Sequence, residues 1–175
     1  MTEDRKKFGE VFDAHTDAEF KMRDVDATMV TMSTDPHVTH VPVMTGGHGT
    51  DAVRGFYETW FIGHWPEDAK ITLVSRTVGE TQLVDELILS FTHDCEMPAI
   101  LPGLKPTGRK VAVPTVVIVG FDQDNKITHE HIYWDQATML VQLGLLDPSA
   151  LPVTGAEQTA RLIDPELPSN TLIQK

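Results

Sequence analysis

The residues best suited to chemistry lie close together in ITHEHIYWDQATMLVQLGLL, positions 127–146. The stretch reads as a strand that runs into a helix. Side chains alternate across a strand. His129, His131, Tyr133 and Asp135 therefore share one face, and Glu130, Ile132 and Trp134 the other. If the first set faces a pocket, two imidazoles, a phenol and a carboxylate meet in a partly apolar space. Burial there raises the pKa of an Asp and lowers that of a His. Both shifts move the groups toward neutrality, where a general acid or base works. The alternative is a polar sheet face open to solvent, with Asp135 capping the helix by accepting from the N–H of Ala137 or Thr138.

Other candidates are dispersed along the chain. DPHVTHVPV holds His37 and His40, three residues apart and so on opposite faces of a strand. His40, beside Val41 and Pro42, is the one expected to reach a pocket. His15 and Glu19 stand at i and i+4 on one helix, which alone makes a surface pair worth about 0.2–0.5 kcal/mol. His15, however, shares an inward stripe with Phe8, Val11 and Phe12. GTDAVRGFYETWFIGHW carries Tyr57, Trp60, Phe61, His64 and Trp65. Aromatics at this spacing belong to a core, and the same face walls any pocket beneath it. Such walls suit a flat, hydrophobic or aromatic ligand.

The 8 histidines raise the question of a metal. His15, Glu19, His40, His129 and His131 are the residues that could converge on one. No HExxH or comparable signature is present, so the expectation is no metal and no cofactor. Cys95 is the only thiol, with His93 two residues away as a potential base. A lone Cys among strand residues is ordinarily a small buried side chain. The chain has no GxSxG elbow, phosphate loop or GxGxxG, which argues against serine-hydrolase and nucleotide chemistry.

The elements that must position these groups follow from periodicity. A first helix is expected over residues 4–22, then a short one from Asp24 through Met32 that Pro36 stops. HVTHVPV reads as a strand and MTGGHGT as a glycine-rich loop. A strong helix follows from Thr50 to Phe61, with Val53, Phe56, Tyr57, Trp60 and Phe61 on one face. ITLVSRTVGE and QLVDELILSFTHD read as strands, and the proline-containing segment 97–108 as a shaped rim over a cavity. KVAVPTVVIVGF is apolar on both faces, hence a central strand. DQDNK turns into ITHEHIYWD, and ATMLVQLGLL is a closing helix. Helices followed by antiparallel strands give an α+β fold. A curved sheet with helices across its concave face makes a cone with a pocket inside. One domain is expected over residues 1–146, with a tail, 147–175, packing on it or on a partner subunit.

A chain of 175 residues with 41% hydrophobic and 23% charged residues fits one globular domain. It has no apolar window long enough for a membrane span, and its first residues lack the core of a signal peptide. The expected compartment is the cytoplasm. The net charge of −12 opposes nucleic acid and anionic lipid as partners. A small hydrophobic or aromatic substrate is expected instead. Val111, Val113, Val117 and Val119 on one strand face, and Ala112, Val116 and Ile118 on the other, leave apolar surface for a homodimer.

Four pieces carry a family resemblance: HVPVMTGGHGTDAVRGFY, LPGLKPTGRKVAVPTVVIVGF, ITHEHIYWDQA and LVQLGLL. Together with the element order, they make residues 8–146 resemble the SnoaL-like polyketide cyclases of the nuclear transport factor 2 superfamily. The resemblance implies the cone fold and a cofactor-free acid–base enzyme acting on a hydrophobic carbonyl compound, as an aldol-type cyclase or isomerase. It matches Asp135 to the acid–base residue and gives His131 or His40 the oxygen of the substrate. It sets the first helix over the cavity mouth, where His15 and Glu19 would bind substrate with Tyr57, Trp60, Phe61, Trp65, His129 and Tyr133. The superfamily also contains epoxide hydrolases built on an Asp–Arg–Asp set. Arg54, Arg76 and Arg109 are available here, but none lies two residues from a pocket Asp on one strand. An epoxide or lactone hydrolase, with Cys95 or a water as nucleophile, and a non-catalytic ligand-binding dimer stay open beside the first reading.

Overall fold

The computed structural model describes residues 3–173. Residues 1–2 and 174–175, the outer ends of the expected domain and tail, lie outside the described residues. Helix α1 (Glu3–Asp17) runs straight into a widened π turn, Ala18–Met22. Its stripe of Phe8, Phe12, His15 and Glu19 is buried, and Phe8 stacks on Phe121 at 4.2 Å between ring centres. Helix α2 (Val25–Val30) starts where Asp24 accepts from the Ala27 N–H at 3.0 Å.

Strand β1 (Met32–His40) follows almost at once. The helix expected to reach Met32 ends at Val30, and Pro36 lies inside the strand. The β1 pairing shifts register between Met32 and His37, which accommodates the proline. Strand β2 (Thr45–His48) takes up much of the glycine-rich stretch expected as loop and pairs with β1. Gly47 is needed there for closeness: a Cβ would come within 2.7 Å of the Ala52 carbonyl of the next helix. That helix, α3 (Thr50–Phe56), also widens into a π turn, Tyr57–Phe61.

Strands β3 (Lys70–Val78), β4 (Gln82–Thr92), β5 (Lys110–Phe121) and β6 (Ile127–Trp134) form an antiparallel meander. The six-stranded sheet is open, in the order β2-β1-β6-β5-β4-β3. It is mixed rather than wholly antiparallel, because β1 and β6 run parallel, with Val38 opposite Glu130 and His40 opposite Ile132. A parallel pair needs a long crossover, and α3 with the meander supplies it. The helices lie over the concave face, so the α+β cone is the fold observed.

Helix α4 (Gln136–Gln142) starts at Asp135 and α5 (Glu157–Ile163) comes from the tail. Both pack where β5 outruns β6, whose last pairing is Thr115 with Trp134. The Gln142 amide replaces a strand there, bonding the N–H and carbonyl of Ala112 at 2.9 and 3.1 Å. The Thr159 hydroxyl donates to the same carbonyl at 2.7 Å. Among the described residues no helix is long and apolar enough to cross a membrane.

Candidate functional site

The cone encloses a cavity of about 70 Å³. Its walls are largely apolar, with Phe20, Phe61, Trp65, Ile100 and Trp134 among them, and its polar groups are few: Thr16, Glu19, His40, Tyr57, Thr115 and Glu130. Glu19 and Phe20 come from the first π turn, and Tyr57 and Phe61 from the second. A π turn carries one extra residue per turn and occurs often at functional positions.

Behind the cavity wall lies a closed charge network. His15 is fully buried. Its Nδ1 is 2.6 Å from the Thr31 hydroxyl, and that hydroxyl spends its only proton on the Thr28 carbonyl at 2.6 Å. Nδ1 must therefore carry a hydrogen and donate. The other nitrogen, Nε2, lies 3.2 Å from Glu19 Oε1, 3.1 Å from Glu130 Oε1 and 3.3 Å from the Tyr57 hydroxyl. Burial disfavours an imidazolium, but the two carboxyls outweigh it and lift the His15 pKa to about 10. One imidazolium cannot neutralise two carboxylates. Burial raises the pKa of Glu19, with Glu130 adding to the rise. Burial is also the largest single influence on Glu130 and acts the same way, but His15, His40 and Tyr57 together outweigh it and hold Glu130 below its ordinary value. The network thus reads as a His15–Glu130 ion pair beside a Glu19 carboxyl inclined to keep its proton. Glu130 Oε1 has the ion pair yet no aligned hydrogen bond among the described residues. Tyr57 donates to Glu130 Oε2 at 3.4 Å, and burial pushes its phenol well above the usual range.

His40 is tuned in the opposite direction. Thr45 donates its proton to the Ala99 carbonyl at 2.6 Å, so it accepts from His40 Nδ1 at 3.2 Å. Nε2 is then the bare nitrogen of a ring packed against Phe56, Phe61 and Trp134. Burial lowers the His40 pKa to about 4, against a smaller upward pull from Glu130. The rim segment holds this arrangement in place, since Ala99 and Ile100 are buried within it.

The expected site residues divide into two groups. Glu19, His40, Tyr57, Phe61 and Trp65 line the cavity, and His15 stands directly behind it. Trp60 turns outward and is half exposed. His129, His131 and Tyr133 lie on the opposite side of the sheet, while Glu130, Ile132 and Trp134 face in. The facing expected for this strand is therefore reversed, and the cause is local. Ile127 is fully buried and pairs with Phe121, while His129 already pairs with Gly120. The irregularity leaves Thr128 as an extra residue, and one extra residue swaps the faces of all that follow.

Asp135 is outside the cavity. It caps α4, accepting from the Thr138 N–H at 3.1 Å, the Thr138 hydroxyl at 2.9 Å and the Gln158 amide at 2.9 Å. Burial pushes its pKa up, and the bonds from Gln158 and Thr138 together bring it below the ordinary value. Engaged by these bonds and absent from the cavity lining, Asp135 does not meet a substrate held there. Glu130 is the cavity carboxyl that the strand reading left on the wrong face.

Two further sets bear on the chemistry. His15, Glu19 and Glu130 each offer one donor atom, all within 4.8 Å of one another, a set that fits a divalent ion. The proton on His15 Nε2 already occupies the centre of that set, so ion and proton would compete. Separately, Arg76 grips Asp85 with two bonds of 2.7 Å and Asp13 with one of 2.8 Å. These three line a groove beside the cavity rather than the cavity itself. Both carboxylates are bound by the same guanidinium.

No protein-family model and no curated protein sequence matches the chain. Solved structures do. A candidate SnoaL-like polyketide cyclase from Jannaschia sp. CCS1 superposes with a TM-score of 0.66 at 14% identity, over 84% of this chain and 98% of that one. A ketosteroid isomerase-like protein from Catenulispora acidiphila DSM 44928, in complex with trimethylamine, gives 0.60 at 15% identity, over 78% and 94%. The epoxide hydrolase/cyclase-like enzyme SalBIII gives 0.58 at 16% identity, over 78% and 95%. The fold is thus the one shared by nuclear transport factor 2-like, ketosteroid isomerase-like and SnoaL-like proteins. The resemblance seen in the four sequence pieces holds at the level of the fold.

Proposed function

We propose that the protein is an acid–base enzyme that moves a proton between carbon and oxygen of a small hydrophobic carbonyl compound, as an isomerase or aldol-type cyclase does. The observation that carries this is a pair of cavity groups tuned in opposite directions. Burial and Glu130 push the Glu19 carboxyl toward its protonated form, and Nε2 of His40 is bare. Opposed shifts of this kind assign acid and base. Glu19 protonates the carbonyl oxygen while His40 removes the proton from the adjacent carbon. The Glu130 charge then stabilises the imidazolium that forms on His40. Asp135, matched to this task by resemblance, keeps the role of a cap. The size of the cavity favours a small substrate, since sites for drug-sized ligands span about 300–1,000 Å³.

The test needs no knowledge of the natural substrate. Small cyclic ketones and enones are incubated with the protein in D₂O, and exchange at the carbon next to the carbonyl is followed by NMR. Wild type should exchange some of them well above buffer. Glu19→Gln and His40→Gln should each lose about 10²–10⁴-fold, the usual worth of one general acid or base. Full exchange by Glu19→Gln would overturn the assignment.

A second reading is favoured by one observation. Phe20, Phe61, Trp65 and Trp134 surround a site with more carboxyls than imidazolium charge. Aromatic walls, and a Glu19 carboxyl that a bound cation would help to ionise, suit a small ammonium ligand, and a neighbour of this fold was crystallised with trimethylamine. Saturable calorimetric binding of trimethylammonium, without exchange of any ketone, would select it. On either reading we propose a homodimer through the outer sheet face, where Val41, Val116 and Tyr133 are exposed.

A further inference from the structure

Half of the 8 histidines gather on the outer face of the sheet, away from the cavity. The pairing of β2, β1 and β6 does this: His37 is the cross-strand neighbour of both His48 and His129, and Thr39 next to it faces His131. His37 Nε2 and His131 Nε2 stand 3.1 Å apart. The His129 ring stacks on His37 at 5.1 Å between centres and leans on His131 at 4.7 Å, and His48 lies 6.0 Å from His37. Gly120 lies under the His129 ring, which a Cβ at that position would overlap. A groove of about 400 Å³, lined by His37, Thr39 and His48, lies beside the cluster.

From this juxtaposition we propose that His37 and His131, with His129 or His48 as third ligand, form a surface site for a divalent late transition-metal ion such as zinc. Four imidazoles in one place gain little from one another. A contact between two of them makes a single neutral hydrogen bond, and protonation of several sets like charges together. Imidazole is the commonest protein ligand for such ions, and it binds them through a bare ring nitrogen. Zinc–nitrogen bonds of about 2.0–2.1 Å in a tetrahedron place neighbouring nitrogens about 3.4 Å apart. The His37–His131 pair is already close to that spacing. The third ring must turn to bring its nitrogen into the same shell, and water completes it. The site rests on different residues from the proposed chemistry and stands or falls separately.

The test is a calorimetric titration of zinc chloride into the full chain at neutral pH. One ion per chain is expected. His37→Ala and His131→Ala should each weaken binding at least about tenfold, the lower limit seen even for residues that only support a ligand. Glu19→Gln should bind zinc as wild type does, which separates this site from the buried trio. A measurement on wild type alone guards against misfolded variants: zinc should shift the ring nitrogen signals of His37, His131 and their two neighbours. Absence of binding, binding that survives both alanine substitutions, or ring shifts confined to His15 would overturn the proposal.

Discussion

Replacing His15 by Ala would leave Glu19 and Glu130 facing each other in a buried space with no positive charge. Removing one partner from a buried ion pair commonly costs about 3–5 kcal/mol, and chemical denaturation of His15→Ala should show a loss of that order. Glu130→Gln should cost less, because Glu19 then ionises and becomes the counter-ion. The same change removes the proton that Glu19 is proposed to donate, so exchange activity should fall with most of the stability retained. His40 gives a pH signature. Its folded pKa, about 4, lies below the unfolded value near 6.5. The unfolded chain therefore binds more protons below pH 6.5, and stability falls as the pH drops from there through 4. The full effect is about 3 kcal/mol, and the part due to His40 should vanish from the melting curves of His40→Gln. Asp135→Ala should behave in the reverse way, losing about 1 kcal/mol as a lost cap does and keeping exchange intact.

Among the elements, strand β6 shows most clearly what a sequence can and cannot reveal. Its existence, its length and the sharing of one face by His129, His131 and Tyr133 are all legible, because they follow from a period of two. Which face looks inward is not, because the Thr128 irregularity is defined only against the partner β5. The parallel join of β1 to β6 is hidden for the same reason, since pairing depends on strands nearly a whole domain apart. The pairing of His15 and Glu19 was legible from the inward stripe of α1, but its third member, Glu130, waited on the facing of β6. The close seating of α3 on β2 gives a prediction at this scale. Gly47→Ala drives a methyl into the Ala52 backbone, and overpacking of this kind typically costs about 1–3 kcal/mol. A lower urea midpoint with an unchanged slope would register it. Removal of residues 147–175 takes away the Gln158 and Thr159 bonds to Asp135 and Ala112. The truncated chain should melt earlier if the tail is part of its own domain.

At the scale of the whole molecule, the exposed Val41, Val116 and Tyr133 on the outer sheet predict a dimer in solution, and a sedimentation series showing only the 19.4 kDa chain would refute it. The buried network has a further consequence, for the moment of folding. His15 belongs to the first helix and Glu130 to the last strand, so the pair closes only after the meander has brought β6 beside β1. Contacts this distant in sequence form late and slowly. Until they form, His15 is an imidazole in water, neutral at mildly alkaline pH. Once they form, it holds a proton up to a pH of about 10. Between the two values the closing cone takes a hydrogen ion from its solvent, and refolding in a weak buffer at such a pH should turn the solution more alkaline as the last strand docks.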